Sequence, residues 1–308
     1  MQTAAIRIGT RGSPLALAQA NEAARLLTTN RGLAKDAVAI VPIRTSGDTI
    51  TDRPLIEAGG KGLFTKEIDE ALLDGRVDLA VHSAKDMPTR LADGLTIAAC
   101  LSREDVRDAF LSSAALTLAA LPKGAVLGTS SLRRKALALR LRPDLEVVDM
   151  RGNVETRIRK LAEGAADATL LAVAGLRRLG LVDRAASLID AEAWLPAVGQ
   201  GAIAIVTRKD DATARALAAA IDDCDTSLAI AAERAFLGVL DGSCRTPIGG
   251  LARIEKGALL FRGIIVKPDG SAAHEAERRG AVGDGERIGA DAGAELARRG
   301  GPDFFKVG

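Results

Sequence analysis

The stretch GAVLGTSSLRRKALALRL, residues 124–141, predicts how this chain folds. A short apolar strand leads into the polar turn 129–131, and a helix follows with Arg133 and Arg134 in its first turn. A strand that ends where a helix begins is the unit from which α/β sheets are built. We therefore expect an α/β fold with polar groups at the junctions between strands and helices.

Two further stretches repeat this order of strand, turn and helix. In AAIRIGTRGSPLALAQANEAARLL, residues 4–27, Arg11 lies in the turn and Ser13 is the predicted N-cap. In LEVVDMRGNVETRIRKLAEG, residues 145–164, Arg151 lies in the turn and Asn153 is the predicted N-cap. Each of the three helices offers free backbone N–H groups to an anion and has arginine nearby.

The order of the predicted elements divides the chain into three domains. Residues 62–86 and 152–178 share a pattern of helix, turn, buried strand and basic residue, which predicts two related, doubly wound α/β domains. A strand at 202–208 is expected to return to the first of them, as in binding proteins of the periplasmic type, and a small α+β domain follows. The predicted domains are 1–101 with 202–220, 102–201, and 221–308. Because ligands bind outside the carboxyl ends of parallel strands, the facing ends of the first two domains predict a cleft.

Positive charge is concentrated in the middle of the chain. Residues 123–184 contain 13 Lys or Arg and 7 Asp or Glu, although the net charge of the whole chain is only +2. Aromatic residues make up 2% and tyrosine is absent, so stacking surfaces for single-stranded nucleic acid are scarce. Arginine outnumbers lysine by 31 to 11, and its planar fork suits carboxylates and phosphates. The pattern favours a small polyanionic ligand and no nucleic acid partner.

Compartment and metal content are predicted from what the sequence lacks. The N-terminal segment has no basic region followed by an apolar run, and no stretch approaches the roughly 18 apolar residues of a membrane span. We therefore expect a cytoplasmic protein with no membrane partner. Three separated cysteines and two histidines form no CxxC or His-rich cluster, which predicts no disulfide framework and no metal site.

The motif VHSAKDMP, residues 81–88, is a candidate for chemistry. It follows a predicted buried strand, so Ser83, Lys85 and Asp86 are expected on a loop at the carboxyl edge of the sheet. In a cleft lined by arginines, the Asp86 carboxylate stays ionised and can stabilise a developing cation or relay protons. An ordinary surface turn with a lysine–aspartate pair is the alternative.

Two other segments each allow two interpretations. The glycine-rich stretch 44–64, with Lys61, lacks the pattern of a nucleotide P-loop and is either a lid over the cleft or a surface loop. In LDGSCRTPIGG, residues 240–250, Cys244 is either a buried cysteine that packs as a small hydrophobe or a reactive thiol. The neighbouring Arg245 would favour the thiolate of a nucleophilic or attachment cysteine.

Eight motifs together resemble the hydroxymethylbilane synthase family, also called porphobilinogen deaminase. They occur in order between residues 8 and 249 and are IGTRGSPLALAQA, GGKGLF, VHSAKDMP, GTSSLRR, RGNVETR, LAVAGLRRLG, LPAVGQGA and AERAFLGVLDGSCRTPIG. The resemblance covers essentially the whole chain. It implies that Cys244 carries a dipyrromethane cofactor through a thioether bond.

The resemblance also implies the reaction. Four molecules of porphobilinogen, the substrate partner, are condensed with loss of ammonia, and water releases the linear tetrapyrrole 1-hydroxymethylbilane for haem biosynthesis. The acetate and propionate groups of each pyrrole account for the arginines. A cytoplasmic monomer is implied as well.

Individual roles follow from the same motif matches. Asp86 is implied to be the catalytic carboxylate, with Arg11 and Lys85 assisting, while Lys61 and Phe64 belong to a lid. The residues implied to bind the cofactor are Cys244, Ser83, Lys85, Asp86, Thr129, Ser130, Ser131, Arg133, Arg134, Arg151 and Gly152. The residues implied to bind the substrate are Arg11, Ser13, Arg151, Arg157, Arg178 and Gln200.

Two other classes of protein compete with this interpretation. A binding-only receptor for small anions with the same fold would need a signal peptide, and it gives no reason for Asp86 and Cys244. A polynucleotide-binding protein would use the basic middle segment and would show steep salt dependence of its affinity.

Overall fold

The computed structural model describes residues 6–49, 62, 64–240 and 246–306. Within these ranges the chain forms α-helices, short 3-10 turns and three sheets. The strands are β1 Ile6–Arg11, β2 Val38–Ile43, β3 Leu79–Ser83, β4 Leu95–Cys100, β5 Asp108–Ser112, β6 Val126–Gly128, β7 Glu146–Val148, β8 Ala168–Ala172, β9 Ser187–Leu188, β10 Ile203–Arg208, β11 Ile248–Glu255, β12 Ala258–Val266 and β13 Ala273–Ala281. The helices are α1 Pro14–Arg31, α2 Ser46–Thr49, α3 Lys66–Leu73, α4 Leu132–Leu141, α5 Val154–Ala162, α6 Val173–Arg178, α7 Ala212–Ala219, α8 Cys224–Val239 and α9 Gly285–Gly300.

Two five-stranded sheets share one arrangement. Their strand orders are β2-β1-β3-β10-β4 and β7-β6-β8-β5-β9. In each sheet three neighbouring strands are parallel, and the fourth, β10 or β5, is antiparallel to both of its neighbours. The mostly parallel α/β architecture expected from the repeated motifs is confirmed, and the strand expected at 202–208 lies between β3 and β4.

The helix starts follow the predicted caps. Ser13 accepts a hydrogen bond from the backbone N–H of Ala16 at 3.3 Å, and Asn153 accepts one from Thr156 at 2.9 Å. Ser131 caps α4 in the same way. A side-chain oxygen satisfies a backbone N–H that has no partner inside the helix, which is why these residues fix where the helices begin.

By contact density the chain separates into two compact units, Met1–Arg103 with Ala202–Ser227 and Glu104–Gly201 with Leu228–Gly308. In the first unit, one stripe of α1 at helical spacing is buried in the core that contains Ile8 and Val81. The members of that stripe in the core are Ala20, Ala23 and Leu27.

The second unit contains the second α/β sheet and the antiparallel sheet β11-β12-β13. Helices α8 and α9 pack with this sheet around Phe236 and Phe261. Gly289 of α9 lies so close to α8 that a β-carbon there would be 2.0 Å from the carbonyl oxygen of Ala232. The predicted small α+β element at the end of the chain is therefore present.

Candidate functional site

A pocket in the first unit lies at the carboxyl ends of β1 and β3. These two strands are parallel neighbours, so their last residues, Arg11 and Ser83, reach the same edge of the sheet. Asp86 follows β3 in a short 3-10 turn and is exposed. The residues that line the pocket are Arg11, Ser13, Leu15, Ala16, Gln19, Phe64, Thr65, Val81, His82, Ser83 and Asp86.

Five of the residues predicted from the motifs meet in this pocket. They are Arg11, Ser13, Phe64, Ser83 and Asp86. The Arg11 guanidinium carbon lies 4.2 Å from the centroid of the Phe64 ring, a cation–π geometry. Lys85 occupies the same 3-10 turn as Asp86 and is half-buried.

Sequence reasoning missed Gln19 as a residue of this pocket. Its side chain is 4% exposed, and its amide nitrogen lies 2.9 Å from the Ser83 hydroxyl oxygen, to which it donates. The only signal in the sequence is one polar residue inside the apolar run LALAQA, on the face of α1 that is otherwise buried.

His82 of β3 also lines the pocket. It is 6% exposed. Burial lowers the pKa of His82 to about 4, and the positive charge of Arg11 acts in the same direction. The imidazole is therefore neutral at physiological pH.

In the second unit, a further set of predicted residues follows the carboxyl ends of β6, β7 and β8. Thr129 follows β6 and accepts a hydrogen bond from the N–H of Ser131 at 3.2 Å. Gly152 follows β7 with φ +122°, and a β-carbon there would lie 2.6 Å from Thr156. Because parallel strands place their carboxyl ends together, the basic motifs of this unit converge on one edge of the sheet.

Arg151, Arg157 and Arg178 belong to this edge. Arg151 and Arg157 are half-buried, before and within α5. Arg178 ends α6, and its guanidinium donates to the carbonyl oxygen of Gly201 at 3.2 Å. Their implied roles in binding stay predictions.

Arg133 and Arg134 are more deeply buried than residues of an open binding surface. They are 4% and 5% exposed. Both donate to the carboxylate of Asp108, at 2.8 and 2.7 Å. Burial on its own would raise the pKa of Asp108, but the two guanidiniums hold it far below its usual range. Gln200 is buried as well and donates to the same carboxylate at 2.9 Å.

Three polar atoms at the start of α4 have no hydrogen-bond partner among the described residues. They are the Ser130 hydroxyl oxygen and the Nε atoms of Arg133 and Arg134. Buried donors are normally paired, so these groups fit an anionic ligand, such as a carboxylate, at the helix N-terminus. A group that carries several carboxylates, as dipyrromethane does, matches this donor set.

Two residues implied by the motifs lie outside the described residues. They are Lys61, predicted for the lid, and Cys244, predicted for cofactor attachment.

The described part of the chain contains neither a membrane-spanning helix nor a cluster of metal-ligating side chains. No helix there combines the length and apolar character needed to cross a bilayer. In residues 6–49, 64–240 and 246–306, no group of three or more His, Cys, Asp or Glu side chains is placed to hold a metal ion.

Comparisons with solved structures found proteins with a partly similar fold. A periplasmic substrate-binding protein of an ABC transporter from Coxiella burnetii is 18% identical, covers 74% of this chain and 96% of its own, and has a TM-score of 0.43. A methionine binding protein, MetQ, is 16% identical, with 72% of this chain and 91% of its own covered and a TM-score of 0.45.

Sequence comparisons reach a more specific result. Residues 6–216 match the family model "Porphobilinogen deaminase, dipyromethane cofactor binding domain", and residues 227–298 match its C-terminal domain. The porphobilinogen deaminase of Nitrobacter hamburgensis is 58% identical over 300 residues, which cover 97% of this chain and 95% of that protein. The one from Nitrobacter winogradskyi is 57% identical over the same shares. This chain therefore belongs to the porphobilinogen deaminase family, as its motifs had indicated.

Proposed function

We propose that this chain is a hydroxymethylbilane synthase, a transferase that condenses four porphobilinogen molecules head to tail and releases 1-hydroxymethylbilane. The observation that carries this function is the match of residues 6–216 to the cofactor-binding domain of the family. The pocket that holds Asp86 and Arg11 is consistent with it, because a carboxylate and a guanidinium both line it. A binding-only receptor is not favoured, since the family is one of enzymes.

The condensation reaction requires a carboxylate near a developing positive charge. Porphobilinogen loses its amino group as ammonia, and the remaining carbon becomes an electrophilic, azafulvene-like cation. We propose that the exposed Asp86 carboxylate accepts the pyrrole N–H and stabilises this cation. Lys85, its neighbour in the 3-10 turn, is proposed to assist.

Arg11 and Ser13 are proposed to bind the substrate carboxylates in the same pocket. Arg11 ends β1, and its guanidinium is held over the ring of Phe64. Ser13 is the N-cap of α1 and lines the same pocket. A planar guanidinium suits a carboxylate, so the acetate and propionate of porphobilinogen would fix its orientation.

Residues of the second unit are proposed to hold the cofactor. When bound, dipyrromethane supplies the free pyrrole carbon to which the first substrate is joined. Thr129, Ser130 and Ser131 and the two arginines that follow them offer hydroxyl and guanidinium donors for its carboxylates. Arg151 and Gly152 are further proposed contacts of this unit, and Ser83 of the first unit is proposed as another cofactor-binding residue. Arg157, Arg178 and Gln200 are proposed to serve the growing chain.

We retain the predicted domain boundaries as part of this proposal. Each sheet is formed within one of the proposed domains, 1–101 with 202–220, 102–201, and 221–308. Cytoplasmic location, a monomeric state, the lid and the cleft between the first two domains also stay predictions.

Intact mass under denaturing conditions tests the function. We expect the wild-type protein, purified or after incubation with porphobilinogen, to carry two linked pyrrole units on the peptide that contains Cys244. Cys244→Ala should lose both this mass and the activity. The matched control is Cys224→Ala, because Cys224 is an exposed cysteine in the first turn of α8.

The control should keep the added mass and wild-type turnover. A wild-type protein that gains no mass and forms no tetrapyrrole with porphobilinogen would overturn the proposed function. Full activity of Cys244→Ala would overturn the attachment role alone.

A further inference from the structure

Asp108, the first residue of β5, has no role in any motif of the family resemblance. Its side chain is fully buried. An acidic residue is rarely buried without partners, because removing an uncompensated charge from water is strongly unfavourable. The surroundings of Asp108 must therefore account for its presence in the core of the second unit.

Four donors from two separate segments surround this carboxylate. Two are the guanidiniums of α4, and two are neutral groups from the segment that follows β9. The distances to the carboxylate oxygens are 2.8 Å from Arg133 Nη2, 2.7 Å from Arg134 Nη2, 2.8 Å from Trp194 Nε1 and 2.9 Å from Gln200 Nε2. With both oxygens occupied in this way, the position of the carboxylate is fixed.

Each guanidinium is held at a second point by a backbone carbonyl. Arg133 Nη1 donates to Leu195 at 2.9 Å, and Arg134 Nη1 donates to Leu170 at 2.9 Å. The third nitrogen of each guanidinium, Nε, has no partner among the described residues. Asp108 and the two carbonyls thus fix both side chains, while the Nε–H of each stays available to another group.

The charges of this cluster do not cancel. Two guanidiniums face one carboxylate, so one net positive charge is left in a buried place. It lies at the N-terminus of α4, a ten-residue helix whose dipole adds further positive potential. A single carboxylate would neutralise the cluster and accept the unused donors.

We propose that Asp108 is a positioning residue for carboxylate binding by Arg133 and Arg134. Its negative charge offsets the mutual repulsion of the two guanidiniums. The one net positive charge that remains can then bind one carboxylate of the bound pyrrole chain. This inference rests on the proposed role of the two arginines in holding the cofactor. Trp194 and Gln200 support it indirectly, because their neutral donors keep the carboxylate in place.

A simple charge-balancing role predicts the opposite effect of removing Asp108. If the carboxylate only offset excess charge, its loss would raise the positive potential and strengthen the binding of an anion. If it positions the arginines, its loss lets the guanidiniums separate, and carboxylate binding weakens. The direction of the change therefore distinguishes the two roles.

The test compares Asp108→Asn with Asp144→Asn, in unloaded protein and after loading with porphobilinogen. Asp144, just beyond the other end of α4, is the matched control because it is an aspartate that is likewise paired with arginine. It accepts two hydrogen bonds from Arg142, both at 2.7 Å. Two quantities are measured: the rate at which the pyrrole mass appears, and the rise in the midpoint of thermal unfolding on loading.

We expect Asp108→Asn to load about tenfold more slowly or worse, since a charge-assisted contact is lost. Its rise in unfolding midpoint on loading should be less than half that of the wild type. The control should load at the wild-type rate with the wild-type rise. A purely structural role would lower the midpoints of loaded and unloaded protein equally, so an unchanged or larger rise in Asp108→Asn overturns the proposal.

A second variant covers the case in which Asp108→Asn does not fold. Asp108→Asn combined with Arg133→Gln restores the wild-type net charge of the cluster and is compared with Arg133→Gln alone. The proposal requires a smaller rise on loading in the double variant, because Arg134 has lost its anchor, and an equal rise overturns it. Failure of the wild type itself to load would instead count against the proposed function.

Discussion

The side-chain amide of Gln19 and the hydroxyl of Ser83 are within hydrogen-bond distance through both amide atoms, with Nε2 at 2.9 Å and Oε1 at 3.0 Å from Oγ. The pair joins α1 to the end of β3, beside the exposed Asp86. A buried glutamine with this contact fixes the rotamer of the serine.

Replacement of Gln19 by leucine keeps the volume and removes this contact. A neutral hydrogen bond contributes about 1 kcal/mol, so we expect kcat/KM to fall about fivefold while the fold is retained. The measurement is steady-state turnover of porphobilinogen with circular dichroism. Asn21→Leu is the control, because Asn21 is an exposed residue of the same helix and its side chain donates to the carbonyl oxygen of Leu17, one turn earlier. Equal kcat/KM values for the two variants would contradict the positioning of Ser83 by Gln19.

Replacement of Asp86 by asparagine tests the catalytic carboxylate. The exchange keeps the shape of the side chain and removes its charge, so turnover should fall by about two orders of magnitude or more. Cofactor mass and unfolding midpoint should stay close to those of the wild type, since Asp86 is exposed. Asp93→Asn, an exposed aspartate outside the pocket, should keep full turnover. Wild-type turnover in Asp86→Asn would remove the assigned role.

The buried Asp69 of α3 makes stability depend on pH. It is 8% exposed, and burial raises its pKa to about 6 from the ordinary value of 3.8. The folded state therefore binds more protons than the unfolded state between these values, so its stability falls as the pH rises through this window. Asp69→Asn removes the effect. Above pH 6 we expect the variant to be more stable than the wild type by at most about 3 kcal/mol, with little difference at pH 4.

Urea denaturation at several pH values measures this dependence. Asp74→Asn is the control, because Asp74 at the end of the same helix is largely exposed and its substitution should leave the profile unchanged. A difference between Asp69→Asn and the wild type that stays constant from pH 4 to pH 8 would contradict the prediction.

Gly289 permits the close packing of α9 on α8. An alanine there would place its β-carbon 2.0 Å from the Ala232 carbonyl oxygen, which cannot move without shifting the helix. We expect Gly289→Ala to lower the free energy of unfolding by about 3 kcal/mol. Gly283→Ala is the control, since among the described residues no atom apart from its chain neighbours lies within 4 Å of a β-carbon at that position. Chemical denaturation of both variants measures this difference. Equal free energies of unfolding would contradict the prediction and show that the two helices move apart with little loss of stability.

Local features of this protein could be predicted from its sequence. Ser13, Ser131 and Asn153 cap helices where the motifs indicated. A capping side chain bonds to a backbone N–H only two or three residues away, so a short stretch of sequence is enough to predict it. The strand, turn and helix order also predicted two related sheets, since burial of an apolar strand between helices leaves few alternatives. The family could also be predicted from the motifs, because they are short, specific and occur in a fixed order along the chain.

Tertiary structure decided which polar residues act together. Gln19 meets Ser83 across 64 residues of sequence, and Asp108 meets Gln200 across 92. In both sheets an antiparallel strand, β10 or β5, is inserted beside a parallel one, and no local pattern specifies that neighbour. Nor did the GTSSLRR motif indicate that its arginines are buried against an aspartate. Partners so far apart are brought together by the pairing of strands and the packing of helices, whereas the sequence by itself determined the segments that pair.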